Sequence, residues 1–307
     1  MKVNILGTGG VGGYYGGLLA LQGQEVTFIA RGAHLDAIRL QGLHVKSVHG
    51  DFQINPARAT DSPMEAGLAD LVLVCVKTYD TDSALQLVRP CVGPQTTVLS
   101  FQNGVEAASH IGMLLGPEHM LGGATWLSSV VESPGCIRQV SQFRRVVIGE
   151  LDGRSTSRLE RIAGAFQSTG ITLEVSGNIT KILWTKFIFI AAASGVGALT
   201  RLGVGEYRLV PETRRLLIGL LKEVEAVAHA QGVELDLDVV DQTLAFLDGV
   251  SPDIKSSMQR DVEAGNRFEL EAIINVIDRK GRDCGVSTPI ADMIYAALLP
   301  AFLKAGG

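Results

Sequence analysis

Met1-Lys-Val-Asn-Ile-Leu-Gly7-Thr8-Gly9-Gly10-Val11-Gly12-Gly-Tyr-Tyr-Gly-Gly17 decides how the rest of this 307-residue chain reads. A short β-rich run, Val3 to Leu6, feeds directly into Gly7-x-Gly9-x-x-Gly12, and an apolar stretch of helical character follows. This is the dinucleotide fingerprint in its proper setting, with a strand before it and a helix after. Gly7 permits the tight turn, Gly9 lets a pyrophosphate approach the backbone, and Gly12 lets helix pack on strand. The helix N-terminus offers unpaired N–H groups and a positive dipole end to phosphates. The loop Gly7, Thr8, Gly9, Gly10, Val11 and Gly12 is therefore the expected cofactor cradle.

The second strand, Glu25 to Ala30, ends at Arg31-Gly32. A site for NAD usually carries Asp or Glu there to hold the ribose 2′-hydroxyl, whereas an arginine suits the 2′-phosphate of NADP. A solvated arginine at a strand end is the alternative. NADPH/NADP+ is the expected cofactor.

Outward from this point the first half alternates strands and helices, which implies a doubly wound parallel sheet of Rossmann type. Leu71 to Val76 is a continuous apolar run, as in a strand covered on both faces. Helical spacing follows over Thr81 to Val88, and Thr96 to Phe101 reads as another buried strand. Gly122 to Val131, Val146 to Gly149 and Ile171 to Val175 read as further strands, the later ones open to antiparallel pairing. From Asn178 onward the period is helical. Pro211 to Gln231 sets Leu217, Leu220, Leu221, Val224 and Val227 on one face, with Gly232 as its stop. The expected organisation is α/β: a Rossmann-type NADP-binding domain over 1–176, then an all-α substrate and catalytic domain over 177–307.

Composition narrows the function classes. A net charge of −5 gives no basic field for nucleic acid. Four scattered cysteines without a CxxC pair read as reduced thiols of a cytosolic protein. The opening strand leaves no room for a signal peptide, and the apolar stretch Phe187 to Leu199 is too short to span a bilayer. Six histidines lie far apart, without the spacing of metal ligands. The expectation is a cytoplasmic protein with a small-molecule substrate, no metal, and apolar C-terminal helices that offer a homodimer interface.

Three places carry chemistry. Lys77 and Gln102-Asn103-Gly104 follow adjacent apolar strands, and ligands of open α/β sheets sit outside the carboxyl ends of strands. Asn103 both donates and accepts hydrogen bonds, which suits a carboxamide or a substrate carbonyl. Taken singly, Asn-Gly reads as a tight turn and Lys77 as a solvated strand end. Lys186 stands in a nearly all-apolar helix, where desolvation lowers an ammonium pKa toward the range of proton transfer; snorkelling from the helix end is the alternative. Ser194 lies two turns along on the same face. Ser257 and Glu269 would stand about 18 Å apart on one straight helix. Gly265-Asn266 is a break that can fold them together. A capping hydroxyl and a solvated acid are the equal alternative.

Taken in order, Gly7-x-Gly9-x-x-Gly12, Arg31, Val76-Lys77, Gln102-Asn103-Gly104, Trp184-x-Lys186, Ser256-Ser257-Met258 with Asp261, and Glu269 after Gly265-Asn266-Arg267 resemble the ketopantoate reductase (2-dehydropantoate 2-reductase) family, within the 6-phosphogluconate-dehydrogenase-like group. The resemblance covers almost the whole chain. It implies a Rossmann domain, a helical C-terminal domain and a cleft between them. It also implies NADPH-dependent reduction of ketopantoate to (R)-pantoate, toward pantothenate and coenzyme A. By the same resemblance Lys186 is the general acid, and Glu269 supports binding and catalysis. Ser257 is a substrate-binding hydroxyl, Asn103 lies at the junction of nicotinamide and substrate, and Lys77 is a cofactor contact.

The chain departs from that pattern at one face. Family members commonly carry Asn four and eight residues after the lysine, where this sequence has Ile190 and Ser194. Ser194 keeps hydrogen-bonding capacity for substrate, and Ile190 does not. Two alternatives stand beside ketopantoate: a more apolar 2-oxo acid, or a non-catalytic NADP(H) sensor. The pairing of Lys186 with Glu269 argues against the sensor.

Overall fold

The computed structural model describes residues 1–307. The strands are β1 (Lys2–Leu6), β2 (Glu25–Ile29), β3 (Leu43–Lys46), β4 (Phe52–Ile54), β5 (Ala59–Thr60), β6 (Leu71–Val74), β7 (Thr97–Ser100), β8 (Met120–Ser133), β9 (Cys136–Gly149) and β10 (Thr172–Val175). The helices among them are α1 (Gly10–Leu21), α2 (Gly32–Gln41), α3 (Pro63–Ala66), α4 (Thr81–Val88), α5 (Ala107–Leu115) and α6 (Ser157–Gln167). Only helices follow: α7 (Ile179–Thr200), α8 (Val204–Tyr207), α9 (Pro211–Ala230), α10 (Val239–Gly249), α11 (Ser257–Glu263), a π-helical turn (Glu271–Asn275), α12 (Val276–Cys284) and α13 (Pro289–Lys304).

The chain forms two compact units. One comprises Met1–Gln102 with Glu106–Ile179, and the other Thr180–Gly307 with the short segment Asn103–Val105.

The first unit is built on a sheet of order β4-β3-β9-β8-β7-β6-β1-β2-β5, with β10 also paired to β9. From β5 to the start of β8 every pairing is parallel, the Rossmann arrangement. Successive side chains of a strand point to opposite faces. Val3, Ile5, Leu71, Leu73 and Leu99 accordingly enter one core, and Leu6, Val72, Val74 and Val98 enter another. Being covered on both sides explains the unbroken apolar runs. Each such side chain contributes about 1.5–3 kcal/mol by leaving water. Beyond β7 the character changes. β8 and β9 form a long antiparallel hairpin with register shifts at Leu127/Ser129 and Val131/Ser133. β10 pairs with β9 in parallel.

Three strands have no counterpart in the sequence expectation: β3, β4 and β5, between Ala30 and Leu71. They are two to four residues long and interleave polar residues such as His44, Lys46 and Gln53. β9 also runs ten residues ahead of its apolar end at Val146, because that extension mixes polar and apolar side chains without a regular period.

The second unit packs around α7, whose Phe187, Ile188, Ala191, Ala192 and Val196 meet Leu217, Leu220, Leu221 and Val224 of α9 and Ile294 and Leu298 of α13. α7 corrects one expectation. Its 22 residues reach about 33 Å, and by length and apolar composition it is long enough to cross a membrane. Phe187 to Leu199 is only part of that helix. Its most apolar window is 61% buried inside the fold, and α7 is a core helix.

Candidate active site

In the first unit the glycine loop takes the shape its sequence demands. Gly7 sits at φ +96°, and a Cβ there would lie 2.7 Å from the Val76 amide nitrogen. Only glycine meets both demands. A Cβ on Gly12 would lie 2.2 Å from the Gly7 carbonyl oxygen, so α1 can start this close to β1 only without a side chain. Gly9 differs. It is extended, and nothing lies within 4 Å of where its Cβ would be. The space above it is open, and a ligand can approach the backbone there.

α1 begins at Gly10 with no side-chain cap, which leaves its first N–H groups, those of Gly10 and Val11 among them, to an anion. These features fit a dinucleotide pyrophosphate. The Thr8 side chain is engaged within the fold, for its hydroxyl and its amide both donate to the Ile29 carbonyl, at 3.0 and 3.2 Å.

Arg31 directly follows β2 and opens α2. Its side chain is 74% exposed, with Nη2 3.6 Å from an Asp80 carboxylate oxygen. Lys77 follows β6 and is half-buried at the start of a 3-10 turn, Thr78–Asp80. Gln102 ties neighbouring strand ends together. Its amide nitrogen donates to the Val76 carbonyl at 3.0 Å and to the Thr81 hydroxyl at 2.7 Å, and its carbonyl accepts from Ser100.

In the second unit the Lys186 ammonium, two turns into α7, donates to Oδ1 of Asn103 at 2.9 Å. Lys186 is 8% exposed, and burial lowers its pKa to about 8 against an opposing pull from the Glu269 charge. A lysine at about 8 is still mostly protonated at neutral pH and gives up its proton far more readily than an exposed one. Glu269, 6% exposed, reaches this site because α11 stops early. Gly265 at φ +68° ends the helix, with the Asn266 amide donating back to the Asp261 carbonyl. The chain turns, and Glu269 stands just before the π-helical turn, its own carbonyl accepting from the Ile273 amide. Gly104, at φ +105°, lies against the Ala272 carbonyl of that turn, where a Cβ would approach to 3.2 Å.

Lys186, Asn103 and Glu269 are thus one constellation. Ile190 and Ser194 continue the Lys186 face of α7; Ser194 is buried and Ile190 half-buried. Of the two adjacent serines, Ser256 is the helix cap, accepting from the Gln259 amide at 3.0 Å, and Ser257 is half-buried beside it.

Two further residues at the first unit's loop were not among the expected ones. Asp80 is the partner of Arg31. His34, on α2, contacts the Thr8 carbonyl at 2.8 Å. The available signal for His34 was its place in the first turn of the helix that Arg31 opens. No group of three His, Cys, Asp or Glu is placed to hold a metal ion.

Comparison with known proteins agrees with this layout. The family model described as ketopantoate reductase PanE/ApbA matches residues 3–153, and that of its C-terminal domain matches residues 178–301. An uncharacterized oxidoreductase of Bacillus subtilis, YkpB, is 29% identical over 97% of this chain and 98% of its own. A 2-dehydropantoate 2-reductase of Halobacterium salinarum is 30% identical over 97% of this chain and 99% of its own. The crystal structure of a PanE/ApbA family ketopantoate reductase from Ralstonia eutropha superposes with a TM-score of 0.92 at 32% identity, covering 100% of both chains. With both domain models matched in order, and with relatives at this identity along the full length, the chain belongs to the ketopantoate reductase PanE/ApbA family.

Proposed function

We propose that this protein is a cytosolic NADPH-dependent 2-dehydropantoate 2-reductase that reduces the C2 ketone of ketopantoate to (R)-pantoate, a step toward pantothenate and coenzyme A. The observation that carries the reading is the buried Lys186, hydrogen-bonded to Asn103 and held near pKa 8. Bound NADPH supplies the hydride. The protein's residues do the rest. The Gly7–Gly12 loop and the α1 N-terminus hold the pyrophosphate, Arg31 meets the 2′-phosphate, and Lys77 adds a cofactor contact. Hydride arrival at the ketone carbon places a growing negative charge on its oxygen. Lys186 stabilises that charge and transfers a proton to the oxygen, so that the ketone gains one hydride and one proton and becomes a secondary alcohol. Asn103 orients the ammonium, and Glu269 keeps the lysine protonated between turnovers. Ser257 and Ser194 offer hydroxyls to the substrate.

Ile190 supports a second reading on the same scaffold. One turn from Lys186 it presents a half-buried apolar side chain, which favours a 2-oxo acid with a more apolar substituent over one that needs a hydrogen bond there. NADPH oxidation followed by absorbance, with ketopantoate compared against a panel of 2-oxo acids, separates the readings. Fast turnover of ketopantoate supports the first. Preference for an apolar 2-oxo acid supports the second. NADPH binding without turnover of any member would point to a sensor instead.

A further inference from the structure

His34 stands between two backbone segments at the glycine loop. One ring nitrogen, Nδ1, accepts from the Gly135 amide at 3.0 Å, and the other, Nε2, lies 2.8 Å from the Thr8 carbonyl oxygen. An accepting Nδ1 carries no proton, so the proton is on Nε2 and is donated to Thr8. Only the neutral ring can make both bonds.

Thr8 is the residue between Gly7 and Gly9, and its amide and hydroxyl are already spent on the Ile29 carbonyl. His34 completes the fixing of this peptide, and the turn presents Gly9 in its open, extended form. Gly135 is the tip of the β8–β9 hairpin, at φ +77°, and it packs on α2, where a Cβ would stand 3.0 Å from that of Ala37. The ring therefore ties the β1–α1 turn to that hairpin through α2.

We propose that His34 is a positioning residue of the dinucleotide site, acting when neutral as a clamp between the Thr8 carbonyl and the Gly135 amide that loses its Gly135 side when the ring is protonated. This rests on the reading of Gly7–Gly12 as a dinucleotide loop. A protonated ring would point an Nδ1–H at the Gly135 N–H, two donors facing each other, and the clamp would open on that side. Burial holds the ring below the ordinary imidazole pKa, and the bond to Thr8 opposes this. The β1–α1 turn carries no charged residue. Arg31 stands at the N-cap of α2, Asp36 and Arg39 stand on it with Arg39 turned to Asp61, and Glu132 near the hairpin tip is engaged by Lys46 and Arg138. None of these adds to the shift of His34.

The test is dissociation constants for NADPH and for NADH, by fluorescence titration between about pH 8 and about pH 5.5, for the wild type, His34→Ala and His34→Gln. NADH is included because a phosphate monoester such as the 2′-phosphate titrates near pH 6 by itself. The glutamine amide can donate to Thr8 but does not titrate. The expected result is NADH binding by the wild type that weakens as pH falls, binding by His34→Ala about tenfold weaker at pH 8, and binding by His34→Gln that is near normal and flat with pH. Thermal melts establish that each variant is folded, and His34→Gln carries the test if His34→Ala is not. If folded His34→Ala binds like the wild type, or if His34→Gln keeps the wild-type pH dependence, the clamp is overturned while the loop assignment stands. A wild-type chain that binds neither dinucleotide at pH 8 overturns the loop assignment and the clamp with it.

Discussion

The Lys186 ammonium and the Asn103 side-chain oxygen are joined by a 2.9 Å hydrogen bond between residues 83 positions apart in the chain. The bond uses one of three ammonium protons. It also fixes the end of a long, flexible side chain, which would otherwise lose entropy on each encounter. Replacement of Lys186 by Ala removes the proposed proton donor and leaves the residues of the glycine loop unchanged. The expected effect is a fall in kcat of about 10²–10⁴-fold, with the NADPH dissociation constant changed far less. A loss confined to cofactor affinity would take Lys186 out of the chemistry.

The Glu269 charge raises the Lys186 pKa against the larger lowering caused by burial. With Lys186 as the proposed general acid, which must be protonated to act, the reductive rate should be full below about pH 8 and decline as pH rises through that value. Glu269→Gln removes the opposing charge and leaves the desolvation, so Lys186 loses its proton at lower pH. The alkaline limb of the kcat profile should move down by about one unit, the scale of a single nearby charge. An unmoved limb would mean that another group sets the profile.

Arg31 and Asp80 form a surface pair at 3.6 Å, with side chains 74% and 33% exposed. Such pairs are worth about 0–1 kcal/mol, so in the proposed NADPH site the pair would cost little to break in favour of a 2′-phosphate. Arg31→Asp should shift the ratio of NADH to NADPH affinity toward NADH by at least about tenfold, through loss of one attraction and gain of one repulsion. Asp80→Asn should tighten NADPH by up to about fivefold, the equivalent of one such pair. Equal ratios in all three proteins would remove this corner from cofactor recognition.

How far these features can be read in the chain depends on how local their causes are. Leu71–Val74 declares itself because burial on both faces forces consecutive apolar residues, and Val3–Leu6 because only Asn4 interrupts its apolar run before the glycine loop. Lys186 declares itself as a cation inside an apolar helix. Its bond to Asn103 is invisible locally, since nothing in either segment encodes the other. β3, β4 and β5 are too short and too polar to carry a period. Ser256 and Ser257 are chemically alike, and only the helix start, one residue beyond Ser256, tells cap from candidate ligand. His34 looks like any polar residue of a first helical turn. Its meaning lies in two backbone groups, at Thr8 and Gly135, which have no side-chain signature.

Glu223 offers a stability test independent of the reaction. Its carboxylate, 9% exposed, accepts from the Ile290 amide at 2.8 Å and from the Ala291 amide at 2.9 Å. α13 starts at Pro289 without a side-chain cap of its own, so a residue of α9 satisfies its first free N–H groups and meets its positive dipole end. Burial raises the Glu223 pKa against the pull of these two amides. The folded state therefore holds this proton more tightly than the unfolded chain does. From this group alone, stability is greatest below the ordinary glutamate value and declines as pH rises through the raised one. Glu223→Ala leaves two buried donors unsatisfied and should cost about 2–4 kcal/mol, seen as a drop of several degrees in melting temperature. Glu223→Gln keeps one acceptor, does not titrate, and should lose roughly half as much. Equal loss in the two variants would mean that packing at this site, not the remote cap, supplies the stability.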